Sequence, residues 1–201
     1  MFFRKKKPEP AGPVDFLIVG LGNPGKKYEG TRHNAGFIAL EALAEKLKVK
    51  VNRVKFKAYV GEASLEGRRV LLMMPQTFMN LSGEAVTEAM RFYKLPPEKV
   101  LVMLDDITQP VGALRLRRKG SDGGQRGMRS IITLSGSEQF PRIKIGVGAK
   151  PHPDYDLKDW VLSKFTGEDA VKMRDAAYRA ADAACLIAQD RMDEAMNRFS
   201  R

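Results

Sequence analysis

The sequence motif that most strongly predicts the fold is Phe16-Leu17-Ile18-Val19-Gly20-Leu21-Gly22-Asn23-Pro24-Gly25. Residues 16–20 form an apolar run that ends in glycine, which predicts a buried strand, and the Asn-Pro-Gly sequence after it predicts a turn. Apolar side chains then recur at helical spacing over residues 35–47. A strand, a turn and a helix in this order favour an α/β fold.

The rest of the chain continues this alternation. Further strands are predicted over residues 56–65, 69–74, 100–104, 112–118 and 143–147, with helices over 82–93 and 128–134. Ser82 is the predicted N-cap of the first of these helices. Thr166 and Asp169 suggest a capping box that opens a helical last third. We therefore expect one compact α/β domain over residues 14–201, with a mixed, mostly parallel sheet flanked by helices and a long C-terminal helix.

The composition restricts the classes of function. The formal charge is +11, and only three of these charges belong to residues 1–13, which are rich in Pro and Lys and are expected to form a disordered basic arm. A basic folded body favours a polyanionic partner. With Cys185 as the one cysteine and His33 and His152 as the two histidines, neither a disulfide framework nor a metal site is expected.

The sequence also bears on location. No run of about 18 apolar residues is present, so no membrane-spanning helix is expected. The basic start, Arg4 to Lys7, is followed by Pro8, Glu9 and Pro10 rather than by the apolar segment of a secretory signal. We therefore expect a cytoplasmic protein without a membrane partner.

The glycine turn could be interpreted as a dinucleotide site, because Gly20, Gly22 and Gly25 fit the G-x-G-x-x-G pattern. That pattern requires a helix that begins at the loop and an acidic residue at the end of a second strand. Here the loop continues as a turn, and the acidic residues at the right distance, Glu41 and Glu45, lie within a predicted helix. A nicotinamide site is therefore disfavoured.

Three polar segments follow predicted strands and should meet at one edge of the sheet. His33 precedes the first helix, Asp105 follows the apolar run 100–104, and residues 77–83 follow the run 69–74. A neutral imidazole could activate water, and a carboxylate could hold its tautomer. Phe78 and Asn80 would suit stacking and hydrogen bonding to a nucleotide. The plainer alternatives are a surface or capping histidine, an ordinary strand-end acid and an inward-packed Phe78.

The chain lacks the G-x-S-x-G turn that presents a nucleophilic serine. A water activated by histidine is then the simplest hydrolytic scheme that the residues allow, and it requires neither a metal nor a covalent intermediate.

These motifs resemble those of the bacterial peptidyl-tRNA hydrolase family. The resemblance rests on residues 17–25 with Tyr28, on Thr31-Arg32-His33-Asn34-Ala35-Gly36-Phe37, on residues 77–83, on Asp105-Asp106 and on the glycine loop 120–127. It implies a monomeric esterase without a cofactor. Such an enzyme cuts the bond between a peptide and the 3′-terminal ribose of tRNA, and so recycles tRNAs that leave the ribosome prematurely.

The resemblance also implies roles for individual residues. His33 would activate the attacking water, Asp105 would support His33, and Asn23 would help to distinguish blocked from free amino groups. The residues implied to contact the peptide and the 3′ end, or to line their crevice, are Tyr28, Phe78, Met79 and Asn80.

The implied tRNA contacts include one departure from the family pattern. Arg117 and Lys144 resemble the basic pair that holds the 5′ phosphate. Arg126 stands where members of the family usually have an asparagine, and a guanidinium can bind phosphate but cannot replace a small amide. We therefore expect Arg126 to contact tRNA phosphates.

A second function class is left open. A non-catalytic RNA-binding relative, like the organelle intron-splicing factors that share the fold, would have the same architecture. The presence of Asn23, His33, Asn80 and Asp105 together favours the enzyme. Peptidyl-tRNA is the expected partner, and stalled large ribosomal subunits are a candidate second one.

Overall fold

A computed structural model describes residues 13–200, so nearly all of the expected arm over residues 1–13 lies outside the described residues. Seven strands form one sheet: β1 (Phe16–Gly20), β2 (Arg53–Lys55), β3 (Ala58–Leu65), β4 (Arg68–Pro75), β5 (Val100–Asp106), β6 (Leu114–Arg117) and β7 (Arg142–Gly146). The helices are α1 (Ala35–Lys46), α2 (Ser82–Tyr93), α3 (Arg126–Ser135), α4 (Leu157–Leu162), α5 (Gly167–Ala188) and α6 (Met192–Phe199).

The predicted mixed sheet is confirmed, with the strand order β2-β3-β4-β1-β5-β7-β6. Its centre is parallel, because β1 pairs with β4 and β5, and β5 pairs with β7. Both flanks are antiparallel, through the pairs β2–β3, β3–β4 and β6–β7. Strand β2 was not predicted, because it is only three residues long and is bounded by Lys and Arg rather than by an apolar run.

Helices cover both faces of the sheet, which is why the central strands are almost continuously apolar. Phe16 and Ile18 pack on the side of α1, α5 and α6, whereas Leu17 and Val19 pack on the side of α2 and α3. The predicted long C-terminal helix is α5, with 22 residues, and the short α6 follows it. Among the helices of residues 13–200, none has the length and apolar character needed to cross a bilayer.

Helix α1 lies unusually close to the central strands. A Cβ atom on Gly36 would lie 2.3 Å from the Met103 carbonyl oxygen and 2.4 Å from the Leu21 nitrogen. Both are backbone atoms that cannot move aside, so this position in the first turn of α1 requires glycine. The contact fixes the start of α1, and the residues just before it, at the carboxyl edge of β1 and β5.

Three local predictions were wrong in detail. Ser82 is not an N-cap, because a 3₁₀ turn (Met79–Leu81) precedes α2 and the Ser82 hydroxyl donates to the Met79 carbonyl at 2.8 Å. Thr166 occupies the N-cap position of α5 without a side-chain cap bond, and the Asp169 carboxylate accepts from Arg32 instead of closing a capping box. Helix α3 begins at Arg126, two residues before the predicted start.

Candidate active site

A cavity of about 400 Å³ opens at the carboxyl edge of β1, β4 and β5. This is the edge at which α/β sheets bind ligands. Every site residue predicted from the sequence lines it except Arg117: Asn23, Tyr28, His33, Phe78, Met79, Asn80, Asp105, Arg126 and Lys144.

His33 and Asp105 form a direct pair in the wall of this cavity. His33 Nδ1 lies 2.9 Å from Asp105 Oδ2, and the side chains are 14% and 5% exposed. A proton on Nδ1, facing the carboxylate, leaves Nε2 as the proton acceptor. Burial lowers the pKa of His33, but the charge and hydrogen bond of Asp105 outweigh burial and a smaller opposing effect of the Arg126 charge, so the pKa is raised above its ordinary value.

The buried Arg32 side chain anchors the short turn that carries His33. Its guanidinium donates to the Val147 carbonyl at 2.9 Å, to Asp169 at 2.9 Å and to Ser163 at 3.2 Å. It also stacks 3.9 Å from the Trp160 ring centroid. These contacts join the His33 turn to the segment between β7 and α5 and to the first turn of α5.

Asn23 is held so that its amide group has a defined orientation. The Asn34 side chain bonds both backbone groups of Asn23, with Oδ1 accepting from the Asn23 N–H at 2.9 Å and Nδ2 donating to its carbonyl at 3.0 Å. Asn23 Oδ1 accepts from the Met79 N–H at 2.8 Å. The Asn23 amide nitrogen makes no hydrogen bond to residues 13–200, so its two N–H groups remain available as donors.

Sequence reasoning missed Gln125, which is the N-cap of α3. Its Oε1 accepts from the Met128 N–H at 2.7 Å, and its Nε2 donates to Asp105 Oδ1 at 3.0 Å and contacts Met79 Sδ at 3.1 Å. Glutamine is not among the preferred N-cap residues, so no cap was predicted at this position. Arg32 and Asn34 flank His33 in the sequence, but no local pattern predicted their distant partners.

The mouth of the cavity combines one exposed aromatic ring with positive charge. The Phe78 side chain is 53% exposed at one lip. Arg126, the first residue of α3, is exposed and lines the cavity. The Lys144 ammonium lies 2.9 Å from Asp106 Oδ2. Burial opposes ionisation of Asp106, but hydrogen bonds from Thr108 and Lys144 prevail and lower its pKa.

Arg117 lies outside the cavity because of the antiparallel register of β6 and β7. Arg117 pairs with Arg142, and Lys144 pairs with Arg115, so Arg117 and Lys144 are diagonal neighbours on one face. Arg117 is exposed and donates to the Leu116 carbonyl at 3.0 Å. The structure thus brings Lys144 to the cavity and leaves Arg117 beside it.

Side chains that could hold a metal ion are not clustered in the described part of the chain. Over residues 13–200, no group of three or more His, Cys, Asp or Glu side chains is arranged as a possible ligand set.

The comparisons with known proteins all identify the same family. The family model described as peptidyl-tRNA hydrolase matches residues 17–201. A peptidyl-tRNA hydrolase of Caldanaerobacter subterraneus subsp. tengcongensis is 51% identical over 185 residues, covering 92% of this chain and 99% of that relative. One from Agathobacter rectalis is 51% identical over 186 residues, covering 92% and 100%.

Solved structures give the same result for the fold. The crystal structure of peptidyl-tRNA hydrolase from Acinetobacter baumannii superposes with a TM-score of 0.86 at 34% identity, covering 95% of this chain and 99% of that one. Residues 17–201, which the family model matches, include the strand edge, the cavity and the C-terminal helices described above. This chain is therefore a member of the peptidyl-tRNA hydrolase family.

Proposed function

We propose that the chain hydrolyses the ester between a peptide and the 3′-terminal ribose of tRNA, with His33 as the general base. The observation that carries this proposal is the His33–Asp105 pair, 2.9 Å apart in the wall of a cavity that also holds a free Asn23 amide. A base, a carboxylate that orients it and a donor for the developing oxyanion are the three elements needed by an ester hydrolase without a covalent nucleophile.

The proposed reaction begins with neutral His33, which carries its proton on Nδ1 and has a free Nε2. Nε2 takes a proton from water as the water oxygen attacks the ester carbonyl carbon, and Asp105 stabilises the resulting imidazolium. The tetrahedral intermediate then collapses with cleavage of the bond to the ribose oxygen. The proton on Nε2 passes to that oxygen, which leaves a peptide carboxylic acid and a free ribose hydroxyl.

The Asn23 amide is the best candidate for stabilising the oxyanion. The backbone N–H groups of Asn23 and Met79 already donate to Asn34 and to Asn23 Oδ1, respectively. Because Asn23 Oδ1 is engaged, the side-chain orientation is fixed and its nitrogen presents the donors. A preorganised donor of this kind needs no rearrangement when charge develops on the substrate.

Substrate binding divides between the cavity and its surroundings. Phe78 offers an exposed ring for stacking the terminal base, with Tyr28, Met79 and Asn80 lining the same space. Arg126 and Lys144 at the cavity, and Arg117 beside it, would contact tRNA phosphates. Lys144 must partly exchange its Asp106 contact for a phosphate, so its contribution should be smaller than that of an unpaired lysine.

The setting of the reaction is part of the proposal. The enzyme would act as a monomer in the cytoplasm, where its tRNA substrate is produced, and stalled large ribosomal subunits would be a second source of substrate. Light scattering of the purified chain tests the monomer, and cosedimentation with large subunits that carry peptidyl-tRNA tests the second partner.

The decisive assay for the function is turnover of an N-blocked aminoacyl-tRNA by the purified chain. We expect many turnovers per enzyme molecule, with free tRNA and blocked amino acid released in equal amounts. Binding without turnover would instead identify a non-catalytic RNA-binding relative. Unblocked aminoacyl-tRNA is the matched control and should be cut much more slowly.

A further inference from the structure

The Gln125 side chain contacts both hydrogen-bonded groups of the site, which are also joined through the backbone because Asn34 follows His33 in one turn. Asp105 holds His33, while Asn23 is held by Asn34 and Met79. Gln125 Nε2 bonds Asp105 Oδ1 at 3.0 Å and contacts Met79 Sδ at 3.1 Å. It therefore touches one member of each group.

The orientation of this glutamine is determined by the helix that it caps. Gln125 Oε1 accepts from the Met128 N–H at 2.7 Å, which satisfies one of the free N–H groups at the start of α3. With the oxygen engaged there, the amide must present its NH₂ group to Asp105 and Met79. Gln125 is 8% exposed, so these protein contacts rather than solvent surround its amide.

The close approach of α3 to the site makes this geometry possible. A Cβ atom on Gly127 would lie 2.6 Å from Met79 Sδ and 3.1 Å from Gln125 Oε1. Glycine at this position lets the first turn of α3 contact Met79 directly. The cap, Met79 and Asp105 are thus packed as one unit.

We infer that Gln125 is a positioning residue that fixes the Asp105 carboxylate, and through it the His33 imidazole, relative to the Asn23 amide. Asp105 has two oxygens, and each has one partner: Gln125 holds Oδ1 and His33 holds Oδ2. Without Gln125 the carboxylate can rotate about its Cβ–Cγ bond, and the imidazole loses its fixed direction. This inference rests on the proposed role of His33.

The test uses Gln125→Ser, because serine is a preferred N-cap but is too short to reach Asp105. The melting temperature of the variant should be unchanged, and its KM should stay within about threefold of the parent value. Its kcat should fall about 10- to 100-fold, the usual cost of losing an orienting contact. Gln139→Ser is the matched control, since Gln139 is an exposed glutamine that does not line the cavity.

A second variant covers the case in which serine destabilises α3. Gln125→Glu keeps the length of the side chain and the Oε1 cap, but it places a carboxylate against Asp105. The added negative charge should raise the pKa of His33, so the rising limb of the pH–rate profile should move to higher pH. An unchanged profile would contradict the contact between position 125 and Asp105.

A double-mutant cycle with Asp105→Asn separates positioning from general stability. If Gln125 acts through Asp105, Gln125→Ser should cost much less in kcat when Asp105 is already replaced. Additive losses, or a kcat of Gln125→Ser within about threefold of the parent, would overturn the inference. Turnover by His33→Ala distinguishes the two failures. If His33→Ala keeps its turnover, the proposed role of His33 fails as well; if it loses turnover, only the inference about Gln125 fails.

Discussion

Asp105→Asn is the perturbation that the geometry of the site predicts in most detail. Gln125 Nε2 donates to Oδ1 of residue 105, so the oxygen of the new amide should stay there and its NH₂ group should face His33 Nδ1. Nδ1 would then have to accept a hydrogen bond, which places the imidazole proton on Nε2. In that tautomer His33 cannot take a proton from water.

The size of the effect can be worked from the distance. A charge pair about 4 Å apart is worth about 4 kcal/mol at an effective dielectric constant of 20. The His33–Asp105 interaction energy falls in this range, because Nδ1 and Oδ2 are 2.9 Å apart and both groups are buried. The neutral amide of the variant retains part of that energy. A loss of about 2–4 kcal/mol in transition-state stabilisation corresponds to a fall in kcat of about 30- to 1000-fold.

The assay is steady-state turnover of N-blocked aminoacyl-tRNA across the pH range, with a thermal melt to confirm the fold. Because Asp105 raises the pKa of His33, its removal should also move the rising limb of the profile to lower pH. A kcat within about threefold of the parent at every pH, with an unmoved limb, would refute the assigned pair.

Three further outcomes are expected. Arg126→Ala should raise KM several-fold for full-length tRNA but little for a minimal 3′-end substrate, and it should flatten the salt dependence of tRNA binding by about one unit of slope. Because the Arg126 charge lowers the pKa of His33, the rising limb of the pH–rate profile should also move to higher pH. Arg32→Met should reduce the free energy of unfolding by about 2–4 kcal/mol in a denaturant titration, since it removes three hydrogen bonds and a stacking contact. Gly36→Ala should cost about 3 kcal/mol or more by the same titration, because its Cβ would collide with backbone atoms; a loss under about 1 kcal/mol would contradict the packing.

Much of the fold could be predicted from periodicity. The apolar run of β1 and the helical spacing of α1 identified the α/β unit, because the burial of a strand or of one helix face produces a local pattern of apolar residues. The same reasoning placed His33 and Asp105 at one edge, since the carboxyl ends of parallel strands coincide. The short, exposed β2 carries no such pattern and was missed.

The contacts that orient the site could not be predicted, because they join positions far apart in the sequence. Arg32 meets Asp169 across 137 positions, and Gln125 meets Asp105 across 20. Neither pair leaves a local spacing to recognise. The location of Arg117 beside rather than within the cavity depends on the β6–β7 register, which becomes known only when the strands are paired.

The most direct test of the central claim compares His33→Ala with His152→Ala. A positioned general base contributes about 10²- to 10⁴-fold in rate. We therefore expect His33→Ala to lower kcat at least about 100-fold while the Kd for tRNA stays within about threefold. His152 lies on an exposed segment outside the cavity, so His152→Ala should leave both quantities unchanged. A His33→Ala enzyme that retained kcat within about threefold of the parent would contradict the claim that His33 activates the water.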